Sequence, residues 1–218
     1  MNWFDQRRVK DALIFHILFF ALAIPLALSN SAERLGIVVS ALALGYNIAL
    51  PVFGKWRNHG DWVRLWTFLL PMSITLPCAD WMLVVRMQTL VFPDHGIWRL
   101  GGAVPIYFMG LWIMLLWQVC WFASAVSKPY LFTAIFSLLA FLVWEWAARP
   151  LSLWHAVGVR QVAGFALYPL IPEMLLSLGA FWMWQQSQRK PWPQQLAASV
   201  SVSIFYAGAL SLALLWIE

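Results

Sequence analysis

Apolar runs of membrane-spanning length recur along the whole chain, and that recurrence limits its folds more than any other feature. A helical span needs about 20 mainly apolar residues. Seven stretches qualify: 11–29, 35–54, 65–85, 103–126, 130–148, 162–185 and 196–217. Of 218 residues, 62% are hydrophobic and 11% are charged, a balance too apolar for a soluble globular domain of this length. The expected architecture is an all-α integral membrane protein, a seven-transmembrane-helix bundle forming a single domain over 1–218. Connections are short, so neighbours in sequence are expected to be neighbours in space, and no internal repeat is visible.

The net charge of +5 sits in short loops between the apolar runs, with no nucleic-acid-binding motif behind it. It is a topology signal. With the N-terminus inside, the inner side carries Arg7, Arg8, Lys10, Lys55, Arg57, Arg64, Lys128, Arg189 and Lys190, and the outer side only Arg34, Arg86, Arg99, Arg149 and Arg160. The expectation is N-in/C-out, in a bacterial inner membrane, with the lipid bilayer as partner, no nucleic acid, and the oligomeric state open. The basic start, apolar run and Ala27-Leu28-Ser29 imitate a signal peptide, and this segment is read as the first span. Cys78 and Cys120 fall at different depths, so they are expected to be unpaired, buried small side chains. Of 16 tryptophans, Trp3, Trp56, Trp62, Trp98, Trp154, Trp192 and Trp216 sit near expected interfaces. Trp81, Trp112, Trp117, Trp144 and Trp146 lie deeper.

Three acids, Asp80, Glu145 and Glu173, stand well inside hydrophobic segments, where a charge is costly and an acid is a functional candidate by default. All three fall in the outer half or near the midplane. Loops on that side carry Asp94, His95, Trp98, Arg99, His155 and Arg160, so a pocket holding the acids would open or be lidded there. Pro169 and Pro172 interrupt the run into Glu173, and a proline frees a backbone carbonyl one turn earlier. Each acid has a structural reading as well. Glu145 can pair with Arg149 four residues on, and Asp80 can meet Arg86 or Arg160; Glu173 has no basic residue within a turn.

The scarcity of polar groups excludes much chemistry. Four histidines, only His16 in a span, are too few for di-iron oxidation or paired haem ligation. The aspartates Asp5, Asp11, Asp61, Asp80 and Asp94 are scattered singly, unlike the clustered ligands of magnesium-dependent diphosphate ionisation. No cofactor and no metal is expected. What survives is acid chemistry in an apolar, aromatic cavity. A carboxylic acid kept neutral by a dry site can protonate an alkene or epoxide. Indole faces stabilise the resulting cation, and a second carboxylate removes a proton or activates water. On this reading Glu173, Glu145 and Asp80 supply acid and base, and Trp81, Trp117, Trp144, Trp146 and Tyr168 line the substrate.

The run from Leu139 to Gly179, with Glu145, Trp154 and Pro169-Leu170-Ile171-Pro172-Glu173, resembles the later part of small membrane lycopene cyclases and related carotenoid hydratases. Size and span count are similar to the membrane-bound terpene cyclases. The resemblance covers about one fifth of the chain. It implies a lipophilic isoprenoid substrate and carries over Glu173 and Glu145. In the cyclases two consecutive acids usually follow Pro-Leu, whereas here Ile171-Pro172 intervene and only Glu173 is acidic. The alternative expectation is a non-enzymatic membrane protein, a small proton-coupled transporter or an accessory subunit, whose acids relay protons or bind a cation.

Overall fold

The computed structural model describes residues 6–217, so Trp3 and Asp5 lie outside the described residues. Helices α1 (Gln6–Leu28), α2 (Ala32–Trp56) and α3 (Gly60–Thr75) are followed by a short α4 (Pro77–Met82) that runs into a π-helical turn, Leu83–Met87. Two-residue strands β1 (Leu90–Val91), β2 (Arg99–Leu100) and β3 (Val104–Pro105) lead into α5 (Phe108–Ala123) and α6 (Pro129–Ala148). Strands β4 (His155–Ala156), β5 (Gln161–Val162) and β6 (Phe165–Ala166) precede α7 (Leu170–Ser187) and α8 (Trp192–Ile217). Counted with α4 and the π turn as continuations of α3, the helical segments among the described residues number seven, as the apolar runs predict.

Among the described residues five segments are long and apolar enough to cross a membrane: Gln6–Leu28, Glu33–Trp56, Gly60–Met87, Pro129–Ala148 and Trp192–Ile217. The other two are shorter than their apolar runs, for a common reason. Residues 103–107 enter the β2–β3 hairpin, turned by Gly101 (φ 55°) and Gly102 (φ 72°). Residues 162–166 belong to the β5–β6 hairpin, turned by Ala163 (φ 50°) and Gly164 (φ 80°). A short apolar strand cannot be told from a helix extension by hydropathy, whereas a left-handed turn stops a helix outright. The remaining helices, α5 and α7, have 16 and 18 residues.

The helix break in the third segment has a local cause. Pro77 has no N–H to donate and opens α4 at its first position, so α3 ends at Thr75 with Leu76 between. Ser73, one turn earlier, ties this bend to the start of α5: its Oγ donates to the Met109 carbonyl (2.7 Å) and accepts the Ile113 N–H (3.0 Å).

Helix α5 is apolar on every face and almost wholly buried, as a helix without a polar stripe must be, and it packs against α2, α3, α6 and α7. The outer helices turn aliphatic stripes away from it. Ile37, Leu44, Ile48 and Val52 on α2, and Leu131, Ile135, Leu139 and Val143 on α6, are all exposed. Such rows at helical spacing are surfaces that need an apolar solvent around them.

The two ends of the bundle differ. At one, α1, the end of α2 and the start of α3 are joined by polar contacts. Arg57 donates from Nε and Nη2 to both Asp11 oxygens (2.9 Å each), and the His59 Nε2–H lies 2.8 Å from Asp11 Oδ2. One turn deeper, His16 Nδ1 donates to the Ala12 carbonyl (2.7 Å), leaving Nε2 to accept from the Tyr46 hydroxyl (2.9 Å). His16 stacks on Trp117, which lies parallel to Trp121 at 5.5 Å. At the other end the 88–107 and 149–169 connections form one cap. Strand β1 pairs with β4, Leu90 opposite Ala156 and Val91 opposite His155.

Candidate functional site

Beneath that cap, α4, the π turn, β1, α5, α6, β4, β6, α7 and α8 surround a cavity of about 90 Å³. Asp80, Glu145 and Glu173 all line it, although they are far apart in sequence. Their convergence follows from the bundle. Asp80 sits on α4 just past the Pro77 bend, Glu145 in the last turn of α6, and Glu173 in the first turn of α7. The α6–α7 connection belongs to the cap, so the end of one helix and the start of the next meet at the same level.

The three carboxyls have different surroundings. The Trp112 indole N–H donates to Asp80 Oδ2 (3.2 Å), and the Trp154 N–H donates to Glu145 Oε1 (2.8 Å). Glu173 Oε2 is buried with no hydrogen-bond partner among the described residues, and so is Ser177 Oγ one turn along α7. The main-chain N–H of Glu173 is engaged by the Pro169 carbonyl (2.8 Å), and Pro172 brings no N–H to that turn. Leaving a buried acceptor unpaired costs about 1–3 kcal/mol, so Glu173 is the acid whose position packing alone does not explain.

Around the carboxyls the wall is aromatic: Phe92, Phe108, Trp112, Phe141, Trp144, Trp154, Tyr168 and Tyr206. The rings brace one another. Trp112 meets Tyr206 edge-on at 5.7 Å, and Phe108 meets both Phe92 (4.7 Å) and Trp154 (5.5 Å). Edge-to-face contacts of this kind hold ring orientation as well as burying area.

Of the residues expected to line a substrate, Trp144 and Tyr168 are in the cavity wall. Trp81, Trp117 and Trp146 are not. Trp81 packs against Gly101 in the cap, with the Arg86 guanidinium 5.9 Å from its ring. Trp117 belongs to the His16 cluster and donates to the Trp62 carbonyl (3.2 Å). Trp146 points outward, 67% exposed. The structural pairing expected for Glu145 is absent, because Arg149 instead lies 4.0 Å from the Phe165 ring and donates to the Ala163 carbonyl. Cys78 and Cys120 are unpaired as expected, but Cys78 is exposed and not buried. Trp112 and Trp154, the two indole donors, were not expected as acid partners, although Trp112 stood among the deeper tryptophans and Trp154 in the run that carries the resemblance.

Among the described residues no group of three or more His, Cys, Asp or Glu side chains is arranged to hold a metal ion. In the cap, His95 is 2% exposed and its Nδ1 lies 3.3 Å from the Tyr107 hydroxyl. Burial, then the nearby Arg99 charge, holds this imidazole below its ordinary value, with Asp94 opposing.

No curated protein and no solved structure matches the chain. Residues 77–217, which carry all three acids and every lining residue of the cavity, match the family described as Domain of unknown function (DUF6989). The chain belongs to that family.

Proposed function

We propose that this protein is a cofactor-independent isoprenoid cyclase or hydratase that protonates an olefin or epoxide inside the membrane. The observation that carries the reading is the convergence of three acids on one aromatic-walled cavity, one of them with an unpartnered oxygen. Indole N–H groups stabilise the carboxylate form of the acid they touch, which suits Asp80 and Glu145 to the role of bases. Glu173 has no such donor and is assigned the proton donor.

In the proposed reaction Glu173 gives its proton to an alkene carbon or an epoxide oxygen. The alkene π pair forms the new C–H bond, or the epoxide C–O bond breaks, and a carbocation forms beside it. The faces of Trp112, Trp144 and Trp154 stabilise that cation by about 0.5–2 kcal/mol each. A second double bond closes a ring, or water adds, and Glu145 or Asp80 takes the proton released. The net change is isomerisation or addition of one water, and return of the proton to Glu173 completes the cycle. The apolar outer stripes and the basic residues near the α1 start, the α2 end and the α7–α8 connection support an N-in/C-out placement in a bacterial inner membrane, the cavity lying toward the outer face.

The test is expression in bacteria that accumulate acyclic and epoxidised isoprenoids, with lipid extracts compared by mass spectrometry. A new isomer, or a product heavier by one water, is expected from wild type. E173Q is expected to lose ~100-fold or more, the usual contribution of a general acid. Full product from E173Q would remove Glu173 from its role. Identical lipids from every strain, with folded protein present, would favour a cation-binding or transport protein instead.

A further inference from the structure

A second recess lies in the cap, walled by Phe92, Asp94, Ile97, Trp98, Arg99 and Gly102. Phe92 belongs to both walls. On the inner side its ring meets Phe108, and on the outer side its carbonyl accepts Arg99 Nη2–H at 2.8 Å. The recess is therefore separated from the acid cavity by a single residue.

Arg99 is held rigidly there but remains electrostatically unmatched. Its Nη1 donates to the Ala103 carbonyl (3.1 Å) and its Nη2 also to that of Pro93, all neutral acceptors. Among the described residues no carboxylate lies within ion-pair distance of it. Asp94, the other charged wall residue, uses Oδ1 to accept the Gly96 N–H (3.0 Å). Beside them Trp98 is 62% exposed, a large indole on the surface with nothing covering it. At Gly102 the space a Cβ would enter is open.

The size of the inner cavity bears on what the recess is for. At about 90 Å³ it does not enclose a whole amphiphile, so the chain of such a ligand runs out of it. The rest of any ligand, including a polar end, must lie outside. The adjoining recess offers a fixed guanidinium with donors to spare, matched to carboxylate or phosphate oxygens, and an indole for the first methylenes.

We propose that this recess binds the acidic head, a phosphate or carboxylate, of an amphiphilic ligand whose apolar tail enters the acid-lined cavity past Phe92. That the tail is isoprenoid rests on the function proposed above; the head-group site does not.

The test is a tryptophan-fluorescence titration of the full chain in neutral detergent with dodecyl phosphate, dodecanol and inorganic phosphate. The saturated tail cannot react, so the outcome is independent of any catalysis. Dodecyl phosphate is expected to bind saturably, and R99Q to weaken it by ~10-fold or more while leaving dodecanol nearly unchanged. W98A, which removes an exposed side chain and leaves the Arg99 contacts intact, is expected to weaken it by a smaller factor and serves if R99Q disturbs the cap. The proposal is overturned if dodecyl phosphate does not saturate wild type, or if W98A and any folded R99Q bind it unchanged. It is equally overturned if inorganic phosphate binds as tightly, which would make the recess a free-anion site.

Discussion

Replacing Glu173 with leucine should make the protein more stable while abolishing its chemistry. Glu173 is 7% exposed, and its Oε2 has no partner among the described residues. An unpaired buried acceptor costs about 1–3 kcal/mol, and E173L removes it while adding an apolar group to a cavity already walled by Leu83, Leu111 and Phe141. The expected gain is therefore ~1–3 kcal/mol, a rise in Tm of ~2–12 °C at ~2–4 °C per kcal/mol for a chain of this size. The other acids should behave oppositely. D80L strands the Trp112 N–H, and E145L strands that of Trp154. A loss of ~1–3 kcal/mol is expected for D80L and a smaller one for E145L, whose indole partner is only half-buried. Thermal unfolding in one detergent, followed by circular dichroism, reads all three. A lowered Tm for E173L would refute the reasoning, because it would mean that Glu173 has a structural partner and is not held unpaired for function.

Other outcomes follow from the same geometry. W117A, which empties a fully buried site in the His16 cluster, should lower stability by ~3–5 kcal/mol in chemical unfolding, yet leave the product pattern of the folded fraction unchanged because Trp117 does not line the cavity. G36A should destabilise the contact between α2 and the cap, since a Cβ there would sit 2.4 Å from the His95 carbonyl oxygen; hydrogen exchange over residues 93–97 should rise by ~10-fold or more if the cap loses about 1.4 kcal/mol of local protection. His95 gives a pH dependence. Its folded-state pKa lies below the ordinary value, so the unfolded chain takes up the extra proton first and stability should fall as pH drops through about 6.5 and below. Tm recorded from about pH 7.5 to about pH 5.5 should show this slope in wild type and a flatter one in H95N.

The seven helical segments and the three acids were legible because both depend on hydropathy, which is local. The acids stood out because a carboxylate is rare in such surroundings, but the apolar run 162–185 put Glu173 near the middle of its span, whereas α7 begins at Leu170 and sets it in the first turn, level with Glu145. What was not legible depended on direction. Trp117 and Trp112 lie five residues apart on one buried helix, yet Trp112 reaches Asp80 and Trp117 reaches Trp62. Depth in a span ranks them equally, and only the packing around α5 separates them. The hairpins at 99–105 and 161–166 hid inside apolar runs, although Gly101-Gly102 and Gly164 were available as turn signals. The contacts of Asp11 with Arg57 and His59 were missed because they join residues 46 and 48 apart, and Asp11 stood at the edge of its apolar run.

The π-helical turn at Leu83–Met87 acts as a spacer between two parts that must stay in phase. Behind it is Asp80; ahead, after Gln88 in a left-handed conformation (φ 54°), come β1, Phe92 and Arg99. A π turn accommodates one residue more than an ordinary helix does. Deleting one residue from it would let the helix close regularly with the parts on either side still in phase. Deleting one from the regular turn of α4 instead would rotate everything beyond by about 100° and draw it back about 1.5 Å, so that Asp80 and the cap no longer faced each other. The π turn therefore absorbs a change of length that, a few residues earlier, would turn the acid away from its cap.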